Sequence, residues 1–191
     1  IILEWALTRA GKTVNDPAPG AMTGGGMPTA MISGQIDAAA SWSPNTVTLQ
    51  NALGDNYVNL GTNADFLDSA IFPSSYICTP EYAEANHDIL VRFAQALDKA
   101  HDWRAAHPEE MAKLLAKELD APEDTMLAAV GEADWQTITE VCGDMDAIKT
   151  VYETQQGIFL DNGTITENVP VEDYVLFDVM QEAYDAYSAA K

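Results

Sequence analysis

Thr23-Gly24-Gly25-Gly26-Met27-Pro28-Thr29-Ala30-Met31-Ile32-Ser33-Gly34-Gln35-Ile36-Asp37-Ala38-Ala39-Ala40-Ser41-Trp42-Ser43-Pro44 is the stretch that decides how the chain is read. It opens as a glycine loop. Pro28 stands where a first helical residue would, and the short helix it starts runs through Ile32 and stops at Gly34. Gln35 to Ala40 then reads as a short buried strand, and Ser41 to Pro44 as a turn. Ligands of α/β sheets bind outside the carboxyl ends of strands, which is where Ser41 and Trp42 would fall. An indole there offers a flat apolar wall and one N–H donor. Gly24, Gly25 and Gly26, with Thr23 before them, free backbone N–H groups at a helix start for polar or negative ligand atoms. A loop beside a core tryptophan satisfies the same residues.

On either side of this stretch, helix alternates with strand. Residues 1–10 carry a helical stripe of Ile1, Trp5 and Ala6 with Gly11 as its stop, and Thr13 to Gly26 is loop. A helix is expected from Asn45 to Leu53, closed by Gly54, and two further strands at Tyr57–Leu60 and Ile71–Cys78. This alternation predicts an α/β fold over residues 1–76. From Pro80 the period becomes 3.6. Ile89, Phe93, Leu97, Ala100 and Trp103 form one stripe, and His107-Pro108-Glu109-Glu110 marks a helix start. Met111, Leu114, Leu115 and Leu119 continue on that helix, and Pro122-Glu123-Asp124 opens another. Ile148 to Phe159 lie on a helix stopped by Asn162-Gly163, and the last runs from about Val171 to Ala189. Two regions follow, 1–76 and a helical 77–191. The chain opens on Ile1-Ile2-Leu3-Glu4-Trp5, inside an apolar pattern and without an initiator methionine, so it is expected to be a piece of a longer protein.

The 191 residues, 47% of them apolar, suffice to bury a core. Thirty acidic against nine basic residues leave a net charge of −21, which argues against nucleic acid and anionic membrane surfaces as partners. Residues 1–76 contribute −4 of this and 77–191 the remaining −17. An enzyme reading finds no nucleophile elbow, phosphate loop or zinc motif. His87, His101 and His107 lack metal-ligand spacing, and Cys142-Gly143-Asp144 has no base nearby. Glu109, Glu110, Asp144 and Asp146 suit helix N-termini. No catalytic residue, metal or cofactor is therefore assigned. Cys78 and Cys142 fit two free thiols or one bridge equally well.

The run Ala30-Met31-Ile32-Ser33-Gly34-Gln35-Ile36-Asp37-Ala38, followed by Trp42-Ser43-Pro44, resembles a signature of one family. These are the periplasmic substrate-binding proteins of the nitrate, taurine and aliphatic sulfonate ABC importers, with pyrimidine-precursor synthases among their relatives. Pro80-Glu81-Tyr82-Ala83, Ile89–Trp103, His107-Pro108-Glu109-Glu110-Met111-Ala112, Tyr152–Asn162 and Pro170-Val171-Glu172-Asp173-Tyr174 follow in the family's order. The resemblance implies a two-lobe periplasmic-binding-protein fold of the second type, of which this chain is an incomplete, helix-rich C-terminal portion. Residues 1–76 would form the second lobe, and 77–191 the crossover and the helices returning to the first. The lobes would close like a hinge on a small molecule, and the closed form would dock on a membrane permease.

Under that resemblance Trp42 and Ser41 line the cleft, and Thr23 to Gly26 face it. Asp37 buttresses a strand end or touches ligand, and Ser74, Ser75 and Tyr76 approach the crossing. The protein would be a monomer, periplasmic or extracellular, and soluble or lipid-anchored. Departures bear on the ligand. Ser43 and Asn45 stand where many members carry an acid and an aromatic, and Arg9 and Lys12 are the only bases in residues 1–76. A sulfonate or nitrate would need neutral donors or bases from elsewhere. A neutral heterocycle, or a cation held by aromatics, fits equally well. A pyrimidine-precursor enzyme on the same fold and a ligand-free helical interaction protein are the rival readings.

Overall fold

A computed structural model describes residues 2–66, 71, 73–132 and 134–191. The chain divides into two compact units, each built from two separated stretches: Ile1–Asp65 with Pro108–Asp134, and Phe66–His107 with Trp135–Lys191. The expected regions, a second lobe at 1–76 and a crossover with returning helices at 77–191, divide the chain at a different place.

The first unit holds α1 (Ile2–Arg9), α2 (Met27–Ile32) and α3 (Asn45–Leu53). Pro28 sits in the first turn of α2, and Gly34 at φ +72° ends it, with the Gln35 N–H donating to the Ala30 carbonyl at 2.9 Å. α3 stops at Gly54, φ +54°, a conformation that side chains rarely adopt. Met27 and Ala30 of α2 are buried, as are Val47 and Leu49 of the neighbouring α3.

In the second unit, α4 (Pro80–Ala85) starts with Pro80 after Thr79, whose hydroxyl accepts from the Tyr82 N–H at 3.3 Å. α5 (His87–Ala106) is the longest helix described. α6 (Pro108–Glu118) and α7 (Glu123–Ala129) belong to the first unit, where Ala112 and Ala116 pack on Met126. Back in the second unit come α8 (Ile138–Cys142), α9 (Met145–Asp161) and α10 (Phe177–Ala189). Val91 of α5 packs on Val179 and Ala183 of α10, with Leu90 and Ala94 alongside. The buried Gln156 of α9 holds the returning loop: its Nε2 donates to the Val169 carbonyl at 2.9 Å, and its Oε1 accepts from the Val169 N–H at 2.8 Å.

One expectation is corrected here. No strand forms among the described residues: 35–40, 57–60 and the described part of 71–78 carry no ladder, and Phe72 lies outside the described residues. Tyr57 has extended backbone (φ −77°, ψ 124°), but a strand also needs a second segment to pair with. Val58, Leu60 and Ile77 are accordingly 72%, 77% and 94% exposed. The large apolar stripes are not the buried seams. Ile89, Phe93 and Trp103 of α5 are exposed, as are Leu114 and Leu115 of α6 and Leu119 just past its end, while Val91 and Ala94, and Ala112 and Ala116, make the contacts. Small side chains let two helices approach closely, so the seam follows the alanines rather than the leucines.

Candidate functional site

The glycine loop and the tryptophan turn, about twenty residues apart in sequence, meet in the first unit. Gly24 lies against the edge of the Trp42 indole: a Cβ there would stand 3.2 Å from Cζ2 and 3.4 Å from Cη2. The Asn45 side chain, in the first turn of α3, donates from Nδ2 to the Gly24 carbonyl at 3.3 Å and ties the two loops together. The Thr23 carbonyl accepts from the Gly26 and Met27 N–H groups at 3.0 and 3.2 Å, which fixes the loop as a turn leading into α2. Thr23 Oγ1 lies 3.2 Å from where a Gly26 Cβ would be, whereas Gly25 has open space around it.

Trp42 is 64% exposed, so its indole is a presented surface and not a core side chain. Next to it, the Ser41 Oγ is sealed from solvent and has no hydrogen-bond partner. The Ser43 and Thr46 hydroxyls stand 3.1 Å apart across the start of α3, and the Ser43–Pro44 peptide is cis. The arrangement is an aromatic wall with backbone, an amide and hydroxyls at its base. That combination suits stacking and hydrogen bonding. In the sequence Asn45 shows only as a departure from the family pattern and not as a site residue. The Asn immediately after a turn proline was the available signal.

Asp37 is exposed and makes no hydrogen bond among the described residues. Ser74, Ser75 and Tyr76 belong to the second unit and are exposed on a segment outside the helices. Ser75 shares a hydrogen bond of 2.6 Å with the Tyr152 hydroxyl, and Tyr76 meets Phe93 edge to face at 5.3 Å. Tyr152 in turn faces Tyr174 at 6.2 Å, so a second aromatic and hydroxyl cluster surrounds Ser75. Two shallow surface depressions of about 480 and 410 Å³ lie elsewhere in this unit, around Asp88 and Arg92, and involve none of these residues.

Among the described residues no group of three or more His, Cys, Asp or Glu could hold a metal ion. Cys78 and Cys142 are both free thiols, the first exposed and the second buried. No described helix is long and apolar enough to cross a membrane.

Residues 10–111, more than half of the chain, match the family model described as NMT1/THI5 like. The chain belongs to the NMT1/THI5-like family. The matched residues include the glycine loop, the Trp42 turn and the Ser74–Tyr76 segment, and end within α6. Members similar to it are proteins of Brucella abortus, Brucella suis and Brucella melitensis, each 32% identical over 117 residues, which is 61% of this chain. They are named as binding proteins, with no ligand in the name. The matched region spans 36% of the length of these relatives. No solved structure matches the chain.

Proposed function

We propose that this NMT1/THI5-like chain is part of an extracytoplasmic solute-binding protein, the capture component of an ABC importer. It would take a small molecule into a cleft between two α/β lobes and deliver it to a membrane permease without chemical change. The observation that carries the reading is the exposed Trp42 wall held against Gly24 by Asn45, within the segment that the family model matches. An indole presented to solvent beside a glycine backbone is the kind of apolar surface, with a few fixed polar groups, that small ligands use. The binding-protein names of the relatives support the same role.

In this proposal Trp42 stacks on the ligand, Thr23 offers a hydroxyl, and the backbone of Gly24 to Gly26 offers N–H groups, while Ser41, whose Oγ is sealed from solvent, supports the wall from behind. Ser74, Ser75 and Tyr76 contribute from the segment returning to the first lobe. The ligand class is an aliphatic sulfonate, taurine, nitrate or a similar small molecule. The protein works as a monomer outside the cytoplasm, free or lipid-anchored.

A thermal-shift screen of the full-length protein against sulfonates, taurine, nitrate, pyrimidines and simple amines tests it. A ligand at a hundred times its dissociation constant stabilises by about 2.7 kcal/mol, several degrees in Tm. One such shift, abolished by Trp42→Ala with the unliganded Tm unchanged, is the expected result. A shift that survives Trp42→Ala would remove this site from the proposal, and silence across the panel would remove the binding role for these ligand classes.

A further inference from the structure

The line of α5 that faces α10 is apolar at Val91 and Ala94 and then becomes acidic at Asp98 and Asp102. Asp98 is 7% exposed, and its Oδ2 is sealed from solvent with no hydrogen-bond partner. Asp102, one turn further on, is the opposite case. Its Oδ1 accepts from the Ile138 N–H at the start of α8 at 2.8 Å, and its Oδ2 accepts from the Tyr187 hydroxyl of α10 at 2.9 Å. The Lys191 ammonium also pairs with Asp102 Oδ2 and lies 4.8 Å over the Tyr187 ring. One carboxylate therefore gathers donors from α8, α10 and the residue beyond α10, and leaves its neighbour with none.

A buried carboxylate without donors is costly as an anion and far less so as an acid, because protonation removes the charge. Burial first, and the charge of Asp102 second, push Asp98 up to about 6, while Lys191 pulls it down. The other groups facing the junction hold their charge through this range. On α8, burial and then Asp98 push the buried Cys142 thiol up to about 11, so it stays neutral. On α10, burial and the hydrogen bond to Asp102 push Tyr187 up. Burial also acts to raise Asp102, but its donors Lys191, Ile138 and Tyr187 outweigh it and hold the carboxyl below 3.8.

We propose that Asp98 makes the junction of α5, α8 and α10 a proton-dependent latch, closed when this carboxyl is neutral and loosened when it ionises beside Asp102. The direction follows from linkage. Between the ordinary carboxyl value of 3.8 and about 6, the native state holds a proton that the unfolded chain has released. Stability from this group is thus full below about pH 4, falls as pH rises to about 6, and is absent at neutrality. The α8 end is the part that loosens, since α8 is five residues long and its first N–H is bound to the same acidic pair.

The test compares the intact chain with Asp98→Asn, a neutral side chain of the same shape, from pH 4 to 8. Denaturant unfolding should show the folding constant of the wild type falling by about a hundredfold relative to Asp98→Asn over that range. The difference cancels the contributions of His87, raised by its hydrogen bond to Glu182, and of His101, lowered by burial and Arg104. Hydrogen exchange corrected for intrinsic rates should show protection of 138–142 lost in the wild type between pH 5 and 7.5 and kept in Asp98→Asn. Parallel stability profiles would overturn the proposal. Should Asp98→Asn not fold, wild-type exchange across 138–142 decides alone, and Lys191→Met should move its transition to higher pH. Unchanged protection from pH 5 to 7.5 would overturn it.

Discussion

Gly24→Ala isolates the contact on which the candidate site depends. The new Cβ would stand 3.2 Å from Trp42 Cζ2 and 3.4 Å from Cη2. Carbon pairs settle at roughly 3.5–4.0 Å, so the ring must give by a few tenths of an ångström. Being 64% exposed, the indole can swing outward with little loss of packing. Gly24 is not among the glycines with positive φ, so alanine suits the backbone and removes freedom from the unfolded chain, which stabilises by about 0.4–1 kcal/mol. The two effects nearly cancel, and the expected change in stability is within about 0.5 kcal/mol of zero. Binding is expected to respond differently. A displaced wall loses much of a stacking contribution of about 0.5–1.5 kcal/mol, so affinity should fall by roughly three- to tenfold.

The assay pairs denaturant unfolding with ligand titration of tryptophan fluorescence, taking Trp42→Phe as the reference that isolates this ring from Trp5, Trp103 and Trp135. Gly20→Ala is the control, since a Cβ there meets nothing within 4 Å, Gly20 has no positive φ either, and it lies outside the proposed site. It should keep full affinity and the wild-type Trp42 signal. Equal affinities for Gly24→Ala and Gly20→Ala would refute the role of the Gly24–Trp42 contact. So would a loss of more than about 2 kcal/mol on Gly24→Ala, which would mean that the ring is fixed by packing and not presented.

Two further substitutions probe the second unit. Asp102→Ala strips the acceptor from the Ile138 N–H and the Tyr187 hydroxyl and should cost about 2–3 kcal/mol in denaturant unfolding, whereas Lys191→Ala, whose ammonium reaches water, should cost far less. Gln156→Ala frees both polar groups of Val169. Because Val169 is itself exposed and water can replace one partner, the expected loss is about 1–2 kcal/mol, with faster proteolysis of the 162–170 loop as its local readout.

Local punctuation was legible in the sequence. Gly34 and Gly54 end α2 and α3 where expected, and Pro28, Pro80 and Pro108 open their helices, because a missing N–H or a left-handed φ is a property of one residue. α8 was overlooked although Thr137 and Glu140 spell a capping box, with the Thr137 hydroxyl accepting from the Glu140 N–H and the Glu140 carboxylate accepting from the Thr137 N–H. Only one turn of helix follows the box, and its hydrophobic period is too short to detect. At the site, the sequence reading grouped Thr23 to Gly26 with Trp42 but could not supply Asn45, whose role is a bond to a backbone carbonyl 21 residues away. Asp98 was invisible for a related reason. An aspartate on a charge-rich, periodic helix reads as solvent-facing, and only the packing of α8 and α10 around it makes it a buried acid.

The same division between local and non-local information explains the strands. Tyr57 adopts the extended backbone that its segment favours, and the 57–60 and 73–79 segments stay outside every described helix. Extended conformation is selected residue by residue, but a strand exists only as a ladder. Val58, Leu60 and Ile77 therefore keep the side chains of sheet residues while facing water, a costly arrangement at about 1.5–3 kcal/mol for each large apolar side chain left unburied. The sequence pattern of these segments asks for a sheet, and none forms among the described residues. The two-lobe α/β proposal accounts for that exposure, and it also accounts for the tryptophan. In an open α/β sheet the ligand crevice lies beyond the strand ends, and Trp42 follows directly on the 35–40 segment whose apolar run first suggested a strand.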